Sequence, residues 1–190
     1  MTKHIQDQTQ FNAEGFIKII DPDTNYCILE KHNAINFQNF SAYITESIYA
    51  DSIQLEMAFG NQGVQIDSIG SITYRPTNTS NANDELYNEI YSKVITNSSN
   101  VDENNFITSN MIHGNNFIDL VITATLGYNE PVGQPEYDNN ESVDGDFIIN
   151  ELGLKRSTGE FLTHVVFHPI QKSANRRIQV IYTIRTTIGS

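Results

Sequence analysis

DFIINELGLKRSTGEFLTHVVFHPIQKSANRRIQVIYTIRTTI, residues 146 to 188, reads as three consecutive antiparallel strands with turn chemistry between them. Ile178, Val180, Tyr182, Ile184, Thr186 and Ile188 alternate against Gln179, Ile181, Thr183, Arg185 and Thr187, the period-2 pattern of a strand with one face in a core. The polar run Gln171 to Arg176 before it is long enough for a hairpin loop. Phe147 to Leu154 and Phe161 to Phe167 are expected to pair through the turn Lys155-Arg156-Ser157-Thr158-Gly159. This meander points to a structural or binding scaffold before it points to an enzyme.

Working towards the N-terminus, Ile118, Leu120, Ile122, Ala124 and Leu126 alternate with Asp119, Val121, Thr123 and Thr125, which predicts another half-buried strand. Strands are also expected at Ile53 to Phe59, Ser68 to Tyr74 and Phe106 to Met111. Phe16 to Ile20 and Tyr26 to Glu30 flank Asp21-Pro22-Asp23-Thr24-Asn25, a hairpin turn. Two amphipathic helices are expected. The first runs from Phe37 to Tyr49, with Phe37, Phe40, Ile44 and Ile48 at helical spacing and Asn36 as N-cap. The second spans Asp84 to Ile95, with Leu86, Tyr87, Ile90, Tyr91, Val94 and Ile95 as its stripe. The fold class expected is mainly β, an antiparallel β-sandwich of jelly-roll type carrying two helices. Residues 1–14 read as a flexible arm, and residues 15–190 as one domain with an extended loop at 129–141.

Acidic residues outnumber basic ones by 23 to 11, a net charge of −12, so the average surface repels phosphate backbones and anionic membranes. Direct nucleic-acid and membrane partners are therefore not expected. The charge is spread along the chain and reads first as a solubilising surface. The N-terminus lacks an apolar signal region, and no run of about 18 apolar residues occurs. A soluble product of a reducing cytoplasm is expected. The single cysteine, Cys27, lies in the apolar run Tyr26 to Leu29 and is expected to pack in the core.

The motifs that invite chemistry each have a plainer reading. His164 and His168 on a strand would share a face yet stand roughly 13 Å apart, at about 3.3 Å per residue, too far to chelate one ion. Asp138, Asn140, Glu141, Asp144 and Asp146 are an oxygen-rich group that could suit Ca²⁺, but lack EF-hand spacing and read better as a solvated loop. Gly60-Asn61-Gln62-Gly63 is a tight turn and not a phosphate cradle, since neither G-x-G-x-x-G nor a following Gly-Lys-Ser/Thr is present. Tyr128 and Tyr137 are the loop aromatics available to a carbohydrate platform. No catalytic, cofactor-binding or metal residue is assigned, and no cofactor is expected.

The order of segments carries a resemblance. Glu30-Lys31-His32-Asn33-Ala34-Ile35-Asn36 followed by a helix, QLEMAFG at Gln54 to Gly60 before a glycine loop, and Asp84 to Ile90 resemble successive pieces of small tailed-bacteriophage virion proteins. The ending is similar too: Ile149 to Leu154, then Gly159, Leu162, Lys172 and Ile178 to Ile184. The resemblance spans about Gly15 to Ile188. It implies a non-enzymatic structural part of the neck, tail, collar or baseplate, made in the host cytoplasm and located in the virion. Its implied partners are copies of itself and neighbouring virion proteins, in a homo-oligomer that covers strand edges and wraps arms 1–14 and 129–141 around neighbours. A carbohydrate- or receptor-binding sandwich is the alternative from another class. A hydrolase with a carboxylate pair is the third reading.

Overall fold

The computed structural model describes residues 10–49, 54–80, 82–95, 107–114, 116–132 and 147–189. Along the chain these form β1 (Gln10–Asp21), β2 (Tyr26–Ile35), α1 (Phe37–Tyr49), β3 (Leu55–Gly60), β4 (Val64–Ile66) and β5 (Ile72–Tyr74). There follow β6 (Glu89–Ile95), β7 (Ile107–His113), β8 (Phe117–Leu126), β9 (Ile148–Arg156), β10 (Thr163–Gln171) and β11 (Ile178–Gly189). Nine strands make one antiparallel sheet in the order β6-β3-β9-β10-β2-β1-β11-β8-β7, and β4-β5 is a separate two-stranded hairpin. Much of the expected arm lies outside the described residues, but Gln10 to Glu14 continue β1 against Gly189 to Arg185 of β11.

Alternation works as the sequence implies in β8 and β11. Ile122, Ala124, Leu126, Ile178, Val180, Tyr182 and Ile184 are all buried, and they meet Met57, Phe59, Leu152, Leu154, Val165 and Phe167 from the other end of the sheet in one core. The sheet curls to achieve this. At one corner β2 and β10 pair through Thr163 with Ile35 and His164 with Ala34. At the other, Lys93 on β6 donates to the Thr125 carbonyl of β8 at 2.6 Å. Strands near opposite ends of the order are thereby joined across the curl.

Helix α1 forms as expected: the Asn39 N–H donates to Asn36 Oδ1 at 3.2 Å, an N-cap bond, and Phe40 turns into the core. Three expectations are corrected. The C-terminal strands do not form a three-strand meander, because β11 pairs with β1 and β8 while β10 pairs with β9 and β2. The β1–β2 hairpin sits between them, giving both β10 and β11 a partner on each side. The second helix does not form, so α1 is the one helix among the described residues. Glu89–Ile95 is instead β6, which pairs with β3, and the backbone N–H groups of Tyr87 and Asn88 are committed to a side chain of β9. Ile90, Tyr91, Val94 and Ile95 are β-branched or aromatic and suit a strand. Cys27, finally, is exposed and not in the core. It lies on the part of β2 that has diverged from β10, where Tyr26 is 67% exposed as well.

Candidate functional site

The middle of β9, Ile148–Arg156, is buried on both sides, and Asn150 and Glu151 interrupt its apolar run. A carboxylate with no solvent access is costly unless it is paired and hydrogen-bonded. Here it is both. Glu151 Oε1 accepts the backbone N–H groups of Gln62 at 3.1 Å and Asn88 at 3.0 Å. Oε2 accepts the Tyr87 N–H at 3.0 Å and lies 3.0 Å from His164 Nε2. An ionised carboxylate offers about four acceptor directions, and four partners fill them.

His164 on β10 is also wholly buried. Its Nδ1 accepts the Asn78 N–H at 2.7 Å, and a backbone N–H is an obligate donor. The ring proton therefore sits on Nε2 and is donated to Glu151, the neutral tautomer fixed by its two bonds. Asn150 completes the node: its Oδ1 accepts from Gly63 N at 2.8 Å and its Nδ2 donates to the Asn61 carbonyl at 2.8 Å. Asn88 Nδ2 donates to Asn61 Oδ1 at 2.7 Å. Three separate stretches of chain, 61–63, 78 and 87–88, are thus fastened to two neighbouring strands.

Gly60 explains how the stretches come so close. It is the register partner of Glu151, and a Cβ on it would stand 2.6 Å from the Asn88 carbonyl oxygen and 2.7 Å from Glu151 Cγ and Oε1. The glycine loop is therefore a close-approach turn, and its Gln62 and Gly63 amides hold Glu151 and Asn150.

The node roots an outward feature. Between its anchors the chain projects as the β4–β5 hairpin, whose turn is organised by Asp67: Oδ1 accepts the Ile69 and Ser71 N–H groups at 3.0 and 2.8 Å, and Gly70 takes φ +83°. The tip presents Ile69 at 87% exposed, with Ile66 at 38% and Tyr74 at 50% on the arms. Lys31 of β2 reaches beneath, donating to the Val166 carbonyl at 2.8 Å and lying 5.9 Å from the Tyr74 ring centroid.

Comparison with family models, curated proteins and solved structures returns no match. The chain's own geometry carries the reading. His164 and His168 end in different surroundings, the first buried on Glu151 and the second exposed, and the β9–β10 register shifts between Val166 and Ile170. Among the described residues no three His, Cys, Asp or Glu are arranged to hold a metal ion. The acidic group at 138–146 and Tyr137 lie outside the described residues. Tyr128 is 45% exposed, but the Arg177 guanidinium lies 5.3 Å from its ring centroid and its hydroxyl donates to Asp23 at 3.3 Å.

A second polar group closes the curl. Lys93 Nζ lies 2.6 Å from Glu130 Oε2, which also accepts the Gly127 N–H at 2.8 Å. Lys172, buried nearby, donates to the carbonyls of Ser173 at 2.9 Å and Tyr128 at 3.4 Å. Burial lowers its ammonium to about 8, with Glu130 pulling the other way and Arg176 adding to the shift. The sequence reading missed Glu151–His164 and Lys93–Glu130. The signal for the first was a charged and an amide residue inside the apolar run of β9, and a histidine inside that of β10.

Proposed function

We propose that this chain is a non-enzymatic structural component of a tailed-phage virion, assembling as repeated copies in the neck, tail, collar or baseplate region. The phage attribution rests on the ordered motifs from Glu30 to Ile184. The observation that carries the non-enzymatic reading is the saturation of Glu151: the most buried acid–base pair has every acceptor direction filled by the protein itself. Its work is to hold a projecting hairpin, which is what a contact-making part requires.

We read the curled sheet as a sandwich in the jelly-roll manner, with β6-β3-β9-β10 as one layer and β2-β1-β11-β8-β7 as the other, sharing one core. In an assembly, neighbouring copies and other virion proteins would meet at strand edges and projecting segments. The carbohydrate-binding alternative has less support, because the half-exposed Tyr128 already carries Arg177 against its ring.

Light scattering of the purified chain over a concentration series, with negative-stain images of each peak, tests the assembly role. A closed oligomer larger than a dimer is the expected result. Peptide mass spectrometry of gradient-banded phage particles from cells expressing the chain tests the location. Absence of its peptides from intact particles would overturn the virion reading.

A further inference from the structure

We propose that the β4–β5 hairpin of one copy docks through Ile69 into the cleft between β2 and β10 of a second copy, an inference that rests on the assembly role above and names the contact. The hairpin is a preformed knob. Its turn is locked by Asp67 before any partner arrives, so little ordering entropy opposes docking. An isoleucine 87% exposed on an ordered tip is the large apolar group that such a contact would cover.

The receiving surface arises from the same topology. Beyond the paired Ile35 and Ala34, β2 and β10 diverge, and Pro169, which has no N–H to donate, lies inside the β10 register slip. The opening is a depression of about 180 Å³ lined by Ile28, Leu29, His168, Pro169, Ile170 and Arg176, with Gln171 at its side. It is apolar at its base, where Ile170 is 7% exposed.

Charge selects a second copy as the occupant. The chain carries −12 overall, so two average faces repel. The cleft is a local exception: its lining contains Arg176 and His168 and, among the described residues, no carboxylate. The hairpin from Val64 to Tyr74 has Asp67 as its one charged residue, two positions before Ile69. An acidic-apolar tip and a basic-apolar cleft on one chain are complementary between copies.

The chain's own Cys27, exposed beside Ile28 of the cleft, makes the test direct. Under mild oxidation Ile69→Cys should form intermolecular disulfides between the introduced thiol and Cys27, mapped by peptide mass spectrometry, and Ile69→Cys with Cys27→Ser should lose that species. Ile69→Asp, at a solvent-exposed position, should keep the wild-type unfolding curve while weakening self-association by roughly tenfold or more. Cross-linked species that stop at a dimer support this contact and count against a ring. A ladder of larger species supports both. A closed oligomer that is indifferent to Ile69→Asp, and in which Ile69→Cys gives no link to Cys27, overturns this contact alone. A monomer at every concentration and at about 0.15 M and about 0.5 M salt, with no cross-link, overturns the contact and removes the support for self-assembly.

Discussion

His164 Nε2 and Glu151 Oε2 lie 3.0 Å apart with both side chains fully buried, on strands β10 and β9 that are neighbours in the sheet. The pair is a fastening because the other partners are backbone N–H groups of Gln62, Asn78, Tyr87 and Asn88. Replacing Glu151 by Gln would set an amide NH₂ against backbone donors that are already committed to the carboxylate. The expected loss is about 1 to 3 kcal/mol, the range for leaving a buried donor unsatisfied. Urea unfolding checks it: the midpoint should fall with the slope unchanged, and an unaltered midpoint would count against the node.

Gly60 and Gly70 should respond to alanine by different amounts. At Gly60 the added Cβ meets the Asn88 carbonyl and the Glu151 side chain at 2.6 to 2.7 Å, so backbone must move and the node must open. Gly60→Ala should cost roughly 2 to 4 kcal/mol, in the range of overpacking combined with a broken polar network. At Gly70 nothing lies within 4 Å, and only the positive φ of +83° resists a side chain. Gly70→Ala should cost about 1 kcal/mol. Thermal unfolding of both variants separates close approach from conformational freedom.

The strands legible in the sequence are those whose two faces differ. β11 alternates from Ile178 to Ile184 and β8 from Ile122 to Leu126, and Asn36 with Phe40 and Ile44 locates α1, although Phe37, expected on the same stripe, is 64% exposed. What alternation does not encode is the neighbour. Nothing in Ile178 to Ile188 distinguishes pairing with β10 from pairing with β1, because the choice is made by a hairpin distant in the chain, at Gln10 to Ile35. The stripe from Leu86 to Ile95 fits both periods over so short a span, and the deciding fact is tertiary: Glu151 takes the N–H groups at Tyr87 and Asn88, and β3 needs a partner on its outer side.

The site is less legible for a related reason. Sequence spacing sets His164 beside His168, whereas its partner Glu151 lies on the neighbouring strand β9. Polar residues inside buried apolar strands mark a need for partners without saying which. Cys27 misleads because Tyr26 to Leu29 looks like core, yet β2 there has left β10 and Cys27 stays exposed.

Lys93 bridges strands near opposite ends of the sheet order, so its loss should loosen the curl and leave the strands intact. In Lys93→Met the Thr125 carbonyl and Glu130 lose a donor at 2.6 Å each. The expected cost is about 1 to 3 kcal/mol. Amide hydrogen exchange should accelerate in β6 and at the end of β8, while the β1–β11 ladder keeps its protection. Uniform acceleration across all strands would mean that Lys93 acts on global stability and does not act as a clasp.

Lys172 gives a pH signature of the same corner. Its folded value, lowered to about 8 by burial, is below the unfolded value of 10.5, so the unfolded chain binds more protons between those two pH values. Stability from this group therefore rises with pH in that window, and below about pH 8 the cost of the buried ammonium is fully present. Tyr43, Tyr91 and Tyr182 oppose it at higher pH. Burial raises all three phenols above 10.0, so the unfolded chain ionises them first and stability falls as pH passes about 10. The urea midpoint should climb from about pH 8 to near 10, by roughly 1 to 2 kcal/mol in stability, and then drop. Lys172→Met should abolish the climb and retain the drop, and a variant that still climbs would show that another group titrates in the window.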